Sequence, residues 1–256
     1  EKKEETSLQE LLQLENPALL EDVKKIFDTR YEFEASTHKR SKQSVSEMKR
    51  LQLLSERHDE EFFGPTTTPV KSKVAKRPFF LQEGTKLTGA EAGTAVHAFM
   101  QHVDLSERKT AEQVLAFAER LKEREIITNA EKEAINPEKM VPFFHSDMDE
   151  RLRIAKNVMR EFPFTYALVD QDGDKQIVQG VVDCLFQEED GRWVLLDYKT
   201  DKVKHLQSNE DLLLKEMKNR YAIQLSLYEK AIEDILKVDI KEKVLYLFDI
   251  NKTVII

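Results

Sequence analysis

The stretch IVQGVVDCLFQEEDGRWVLLDYKT, residues Ile177–Thr200, decides the fold that the sequence predicts. It contains two segments rich in Val, Ile, Leu and Phe, 176–187 and 192–199, which are separated by Glu188 and the tripeptide Glu189-Asp190-Gly191. Glycine supplies the positive φ that a short hairpin loop needs, and apolar runs on both sides of such a loop are typical of strands. The stretch therefore predicts an antiparallel hairpin.

The loop sets the register of this hairpin. With a three-residue loop and Gly191 in the left-handed conformation, counting along the ladder places Asp183 directly opposite Asp197. Asp197 and Lys199 are two residues apart, so they share a face of their strand. We therefore expect two carboxylates and one ammonium group on one side of a sheet.

Two carboxylates on an otherwise apolar hairpin repel each other unless a cation lies between them. Mg²⁺ suits such a site, because it binds through one or two carboxylates and keeps positions for water and substrate phosphate. A lysine beside the ion can orient and help to deprotonate a water aimed at phosphorus, and can stabilise the charge that develops there. The alternative is a solvated hairpin face with an ordinary ion pair. The apolar residues before Asp183 and Asp197 favour the metal site.

The sequences GVVD (Gly180–Asp183) and DYKT (Asp197–Thr200) together resemble the nuclease core of the PD-(D/E)xK superfamily, in its RecB-type branch. The surrounding sequence is similar to the C-terminal nuclease domains of the AddA subunits of bacterial AddAB helicase–nucleases, over about residues 40–256. The supporting motifs occur in the order seen in that family: SVSEMK (Ser44–Lys49), GTAVH (Gly93–His97), EFPF (Glu161–Phe164), and YAIQ (Tyr221–Gln224) followed by Tyr228.

The resemblance implies a metal-dependent DNA nuclease that hydrolyses single strands delivered by a helicase, during the processing of double-strand breaks for recombinational repair. It implies that Mg²⁺, with Mn²⁺ or Ca²⁺ as possible substitutes, binds Asp183, Asp197, His97 and the backbone carbonyl of Tyr198. Lys199 would position the attacking water. Without the resemblance, a single helical histidine is more often structural.

Four further residues each have two possible interpretations. The resemblance implies that Glu161 holds a second metal ion or a water, although it could equally be an exposed residue near a helix end. It implies that Gln224 contributes to catalysis and that Gln224 and Tyr228 contact DNA. Lys49 is a further candidate for a contact with DNA. Gln224 and Tyr228 could instead cap the core beside the hairpin, and Lys49 could simply belong to a helix that starts at the capping residue Ser44.

The composition limits the class of protein. A net charge of −8 counts against a generic nucleic-acid binder, whose affinity depends on neutralising phosphates. We therefore expect a larger partner to hold the DNA. The partners implied by the resemblance are single-stranded DNA, helicase domains of the same polypeptide and a second, AddB-like nuclease subunit.

The single cysteine, Cys184, excludes an intramolecular disulfide and an all-cysteine zinc or iron–sulfur site within this chain. This cysteine usage fits a reducing cytoplasm. The sequence has no run of eighteen apolar residues and no signal-peptide pattern, so it predicts neither a membrane protein nor a secreted one.

Two domains are expected. Because the chain does not begin with Met, residues 1–40 are interpreted as a helical linker from a preceding helicase domain, and residues 41–256 as the nuclease domain. The predicted class is α/β, with a mixed central sheet flanked by helices and an N-terminal helical extension. The predicted elements of the second domain are helices from Ser44 to about His58, 88–102, 107–125, several short ones within 128–148, 149–160 and 211–236, a loop at 63–80, and strands 164–169, 176–187, 192–199 and 243–250.

A rival function of a different class is a non-catalytic DNA-binding or scaffolding module that kept the fold. The intact set of Asp183, Asp197 and Lys199 argues against it. An RNA-directed nuclease also remains open from sequence.

Overall fold

The computed structural model describes residues 41–48, 87–169 and 173–256, together with Glu21 and Lys25. Three predictions lie outside these residues: the linker at 1–40 (apart from Glu21 and Lys25), the loop at 63–80, and the role of Lys49. The helix predicted after Ser44 does begin there, because residues 45–48 are helical and the Ser44 hydroxyl accepts a hydrogen bond from the N–H of Glu47 at 3.2 Å.

A mixed sheet forms the centre of the described structure, as the sequence predicts. Its strands are β1 (Lys42–Ser44), β2 (Asn157–Val169), β3 (Lys175–Gln187), β4 (Trp193–Lys199), β5 (Ile240–Leu247) and β6 (Lys252–Ile255). The strand order is β1-β3-β4-β5-β6, with β2 paired to β3 as well. The pairs β1–β3 and β4–β5 are parallel, and the pairs β2–β3, β3–β4 and β5–β6 are antiparallel.

Helices cover both faces of this sheet. Thr88, Thr110 and Thr128 each begin a helix with a reciprocal capping box, which satisfies N–H groups that would otherwise lack partners. None of the described helices is both long enough and apolar enough to cross a membrane. The helices are α1 (Gly89–His102), α2 (Ala111–Glu123), α3 (Asn129–Ala134), α4 (Pro137–Met140), α5 (Asp147–Ile154) and α6 (Glu210–Leu236), with 3₁₀ turns at Val141–His145 and Lys204–Leu206.

Two hydrophobic layers result. On one face, α1 and its neighbours bury an aromatic cluster that includes Phe99, Phe143 and Tyr198. On the other face, α6 packs residues such as Leu225 against Leu195 of β4. The sheet is therefore covered on both sides, which explains why its central strands are nearly continuous apolar runs.

The predicted hairpin register is confirmed. Gly191 has φ of 87°, and the Glu188 N–H donates to the Arg192 carbonyl at 3.0 Å. The β3–β4 ladder pairs Cys184 with Leu196, and continuing this register by one residue places Asp183 opposite Asp197.

The prediction for the strand before the hairpin is wrong. Residues 149–160 were expected to form a helix that Pro163 stops near Glu161, but α5 ends at Ile154 and β2 already begins at Asn157. Pairing with β3 overrides the short amphipathic pattern of this segment. Pro163 is tolerated because β2 has, among the described strands, a neighbour on one side only.

β2 and β3 each contain an irregularity, at residues that lie opposite each other, beyond which the side chains point to the other face of the sheet. Val182 packs in the α6 layer, whereas Cys184, two residues later, packs in the α1 layer. Side chains two apart in a regular strand share a face. At this level Glu161 of β2 has φ of 50°, although the register on either side of it is unbroken. The irregularity therefore lies at Glu161 and Asp183, and Glu161 is inside a strand instead of at a helix end.

Asp249, directly after β5, anchors the loop that follows β4. Its side chain is 5% exposed. One carboxylate oxygen accepts from Lys139 Nζ at 2.7 Å, and the other accepts from the N–H groups of Val203 and Lys204 at 2.9 and 3.1 Å. The N–H of Phe248 donates to the carbonyl of Lys199 at 2.9 Å. The end of β5 thus fixes the chain just past Lys199.

Replacing Asp249 with Asn is expected to destabilise the fold in a pH-dependent manner. Burial alone would raise the pKa of Asp249, but the Lys139 ion pair and the backbone donors outweigh it and lower the pKa below 3.8. The ionised carboxylate therefore stabilises the protein above about pH 4, and this contribution is lost as pH falls further. We expect Asp249→Asn to lower the free energy of unfolding by about 1–3 kcal/mol at pH 7.

Urea denaturation at several pH values between 7 and 3 tests this expectation, and the difference between Asp249→Asn and wild type should shrink at the acidic end. Asp239→Asn, at an exposed position, serves as the control. A difference that is constant with pH would contradict the assigned ionic role.

Candidate active site

Asp183 lies where the β3–β4 ladder stops. One of its carboxylate oxygens accepts a hydrogen bond from the N–H of Tyr198 at 2.8 Å. The other lies 3.3 Å from Nδ1 of His97. The side chain is 11% exposed, so it bridges β4 and α1 from a largely buried position.

Asp197 faces the α6 layer and is almost completely buried, with 1% of the residue exposed. It forms an ion pair with Lys199, and its Oδ1 accepts from Nε2 of Gln224 at 3.0 Å. Burial raises the pKa of Asp197 to about 6, the charge of Asp183 adds to this, and the ammonium of Lys199 offsets it only in part. The two carboxylates are therefore coupled electrostatically, as the hairpin register predicts.

Lys199 carries a positive charge in this arrangement. Burial opposes the charged form, but the carboxylates of Asp197 and Asp183 outweigh it and raise the pKa of Lys199 above 10.5. The side chain is thus a hydrogen-bond donor and a source of positive charge. A protonated lysine cannot itself accept a proton from water. The predicted help of Lys199 in deprotonating a water is therefore not supported by this charge state and stays a prediction.

His97 reaches Asp183 because α1 approaches the end of β4 closely. A Cβ at Gly93, one turn earlier, would lie 2.9 Å from Oγ1 of Thr200. Burial lowers the pKa of His97, but the hydrogen bond to Asp183 and the negative charge of that carboxylate outweigh burial and raise it. The glycine of the GTAVH motif is therefore required for the close packing of α1 against Thr200. The histidine that ends the motif faces the carboxylates.

Glu161 completes a group of candidate ligands. His97, Glu161 and Asp183 each offer an atom within 4.8 Å of the others' ligand atoms. Burial raises the pKa of Glu161, and the charge of Asp183 raises it further. Such convergence of carboxylates is unfavourable without a cation, and oxygen ligands with one imidazole suit a divalent ion. The donor set therefore fits a divalent metal ion, although among the described residues it contains Glu161 and does not contain Asp197, which the sequence predicts as a ligand.

The positive φ of Glu161 is a strained conformation for a residue other than glycine, and strain of this kind is concentrated at functional sites. It accompanies the change of face in β2 and β3. Without this irregularity, alternation along β2 would not bring Glu161 and the flanking residues to their observed sides of the sheet.

Gln224 and Tyr228 lie on the α6 side of the site. Nε2 of Gln224 is 3.2 Å from the hydroxyl of Tyr228, so Gln224 contacts both Asp197 and Tyr228. The Tyr228 ring packs edge-on against Phe164, with 5.5 Å between centroids, and only 5% of the residue is exposed. A Cβ at Gly180 would lie 2.6 Å from the Phe164 ring, so glycine permits this packing. Tyr228 therefore supports the core beside the site, and its contact with DNA stays a prediction.

Tyr198 divides its roles between backbone and ring. Its N–H holds Asp183, whereas its ring lies in the aromatic layer next to Phe143 and Phe248. The backbone of this residue therefore serves the site, and its side chain serves the core.

Asp201 was not foreseen from sequence. Its carboxylate accepts a hydrogen bond from the hydroxyl of Tyr221 at 2.6 Å. The face of the Tyr221 ring contacts the ammonium group of Lys199. The only signal of Asp201 in the sequence is its position two residues after Lys199.

The family model described as PD-(D/E)XK nuclease superfamily matches residues 73–254 of this chain. Three similar curated proteins are each named as the A component of an ATP-dependent helicase/nuclease. They come from Lysinibacillus sphaericus (strain C3-41), 46% identical over 96% of this chain; Bacillus mycoides (strain KBAB4), 41% identical over 88%; and Clostridium botulinum (strain Hall), 36% identical over 94%. The matched regions make up 20%, 18% and 18% of those proteins, so the chain spans about a fifth of their length.

Neutralising Glu161 is expected to stabilise the protein when no metal is bound. Because the pKa of Glu161 is raised in the folded state, its ionisation disfavours folding, and this penalty appears as pH rises above about 4.5. We expect Glu161→Gln to raise the Tm in EDTA at pH 7 by roughly 1–4 °C, and to lose this advantage at acidic pH.

Differential scanning calorimetry with EDTA and with excess Ca²⁺ checks the prediction, since Ca²⁺ should reverse the order of Tm values. The control is Glu119→Gln, where hydrogen bonds from Lys122 and Lys132 lower the pKa of the carboxyl, so no gain in Tm is expected. A lower Tm for Glu161→Gln in EDTA would show that the carboxylates do not destabilise one another.

Proposed function

This chain belongs to the PD-(D/E)XK nuclease superfamily, and we propose that it acts as a Mg²⁺-dependent deoxyribonuclease domain that hydrolyses phosphodiester bonds of single-stranded DNA. The observation that supports this most directly is the convergence of His97, Glu161 and Asp183 within 4.8 Å, next to the buried ion pair of Asp197 and Lys199. A charge arrangement of this kind is costly to the fold unless a cation and an anionic substrate complete it.

Asp183, Asp197, His97 and the backbone carbonyl of Tyr198 would hold the Mg²⁺ ion, with Mn²⁺ or Ca²⁺ as possible substitutes. When bound, such an ion lowers the pKa of a coordinated water and neutralises negative charge that develops on the phosphoryl oxygens. Glu161 would hold a second ion or a water.

The residues of this chain supply the remaining requirements. The Lys199 ammonium donates hydrogen bonds to the attacking water or to a phosphate oxygen, and its charge stabilises the transition state. Gln224 holds one oxygen of Asp197 and so fixes the direction of the other. The Tyr198 N–H does the same for Asp183. Because both carboxylates are held through one oxygen by protein donors, the site is organised before substrate arrives.

The wider context is proposed from the relatives, which are named as components of helicase/nucleases. We infer that helicase domains of the same polypeptide deliver single-stranded DNA to this domain, and that it works together with a second, AddB-like nuclease subunit. Processing of double-strand breaks for recombinational repair in the cytoplasm is the corresponding role. Lys49 is proposed to contact the DNA backbone, together with Gln224 and Tyr228.

Cleavage of labelled single-stranded DNA with Mg²⁺, and its loss in EDTA, tests the proposal. Asp183→Ala is expected to reduce the rate by at least about 10³-fold, because it removes a ligand and leaves the charge around the site unbalanced. Double-stranded DNA and single-stranded RNA of the same sequence serve as competing substrates. Equal behaviour of wild type and Asp183→Ala would instead support a non-catalytic DNA-binding or scaffolding module.

Lys199→Ala separates catalysis from metal binding. We expect it to lower kcat by about 10²–10³-fold, since it removes a charged donor at the developing phosphoryl charge, while Ca²⁺ affinity measured by calorimetry stays close to that of wild type. Lys175→Ala, at the exposed far end of β3, is the matched control. A parallel loss of Ca²⁺ affinity in Lys199→Ala would make the lysine an organiser of the carboxylates and not a participant in the reaction.

A further inference from the structure

The ammonium group of Lys199 contacts the face of an aromatic ring in addition to its ion pair with Asp197. Its Nζ lies 4.7 Å from the centroid of the Tyr221 ring. The Lys199 side chain is 13% exposed and Tyr221 is 5% exposed. A cation within about 6 Å of a ring face is attracted to it, and the attraction is greater when water is largely excluded.

The position of the Tyr221 ring is itself fixed. The residue lies on α6, one turn before Gln224, and its hydroxyl donates to Oδ2 of Asp201 at 2.6 Å. Arg220 is 3.4 Å from the other oxygen of Asp201 and forms a second ion pair with Glu216 at 2.7 Å. The ring is thus held by its helix at one end and by a carboxylate on the loop after β4 at the other.

A ring face and a carboxylate stabilise an ammonium group differently. A carboxylate accepts N–H hydrogen bonds, and the ammonium has only three to give. The ring attracts the positive charge through its quadrupole and does not need an N–H hydrogen bond from the ammonium. Lys199 can therefore be kept next to the carboxylates while its donors remain available for water and phosphate oxygens.

We propose that Tyr221 is a positioning residue of the nuclease site, whose ring face holds the Lys199 ammonium beside Asp183 and Asp197 without using its hydrogen-bond donors. This inference rests on the proposed function, because it assigns Tyr221 to the step that Lys199 performs. Tyr221 does not touch substrate in this role. The Asp201 carboxylate acts one step further away, by fixing the tilt of the ring.

Two substitutions separate the ring from the hydroxyl. Tyr221→Phe keeps the aromatic face and removes the hydrogen bond to Asp201, whereas Tyr221→Leu keeps an apolar side chain and removes the face. On short single-stranded DNA with Mg²⁺, we expect Tyr221→Leu to lower kcat about three- to thirtyfold, with KM and Ca²⁺ affinity within about twofold of wild type. Tyr221→Phe should retain most of the wild-type kcat.

The matched control is Tyr166→Leu. Tyr166 on β2 also donates its hydroxyl to a carboxylate on α6, Asp234, but no described contact joins this pair to Lys199. Its replacement tests whether losing any tyrosine–aspartate bond to α6 lowers kcat. We expect kcat to be unchanged. Thermal melting of each variant separates loss of fold from loss of position.

A second measurement needs neither metal nor activity. In protein labelled with ¹³C at lysine, the ring current of Tyr221 should shift the ε-CH₂ protons of Lys199 upfield of those of other lysines. The signal is assigned by its disappearance in Lys199→Arg. It should keep its position in Tyr221→Phe and return to the ordinary lysine range in Tyr221→Leu. Because the contact is read from the wild-type spectrum, with Lys199→Arg needed only for the assignment, a Tyr221 variant that fails to fold does not decide the outcome.

The inference is wrong if the wild-type Lys199 signal is unshifted, if Tyr221→Leu retains wild-type kcat, or if Tyr221→Phe loses as much kcat as Tyr221→Leu. These results differ from failure of the proposed function, which would be seen as absence of Mg²⁺-dependent cleavage by the wild-type chain. In that case the spectrum would still show whether the ring holds the ammonium.

Discussion

Mutual repulsion between buried carboxylates is the constraint to which the rest of this structure responds. Asp183 and Asp197 are brought together by the register of one hairpin, and Glu161 joins them from the neighbouring strand. The ammonium of Lys199 and the imidazole of His97 offset part of this charge, but the pKa values of Asp197 and Glu161 remain raised. A fold that holds such a group together is less stable than it could be, which is the usual relation between a functional site and its scaffold.

The two layers of the fold contribute different chemistry to the same point. The α1 layer supplies His97, and the absence of a side chain at Gly93 lets that helix come close. The α6 layer supplies Gln224 to orient Asp197 and Tyr221 to carry Lys199. Because each layer is packed by its own hydrophobic core, the polar groups at their junction are held by rigid elements.

The sequence predicted that Asp183, Asp197 and Lys199 lie close together, because the relevant constraints are local. Gly191 and the length of the loop determine the hairpin register, and the alternation of side chains then fixes the relation of Asp197 to Lys199. The course of β2 was predicted wrongly, because a short amphipathic pattern and a proline favour a helix end when the partner strand is not considered. Glu161 was expected near the site for the wrong local reason, since it lies within a strand and not at a helix end.

By itself, then, the sequence determined the α/β class, the hairpin, its register and the residue types that meet there, since these follow from periodicity and from the conformational freedom of one glycine. Only the tertiary structure decided that side chains switch to the other face of the sheet at Glu161 of β2 and Asp183 of β3. It also decided that the Tyr198 N–H holds Asp183, and that Asp201 fixes the Tyr221 ring that contacts Lys199. These features depend on contacts between segments far apart in the chain. Their energies arise from burial and electrostatics, which no local pattern of residues records.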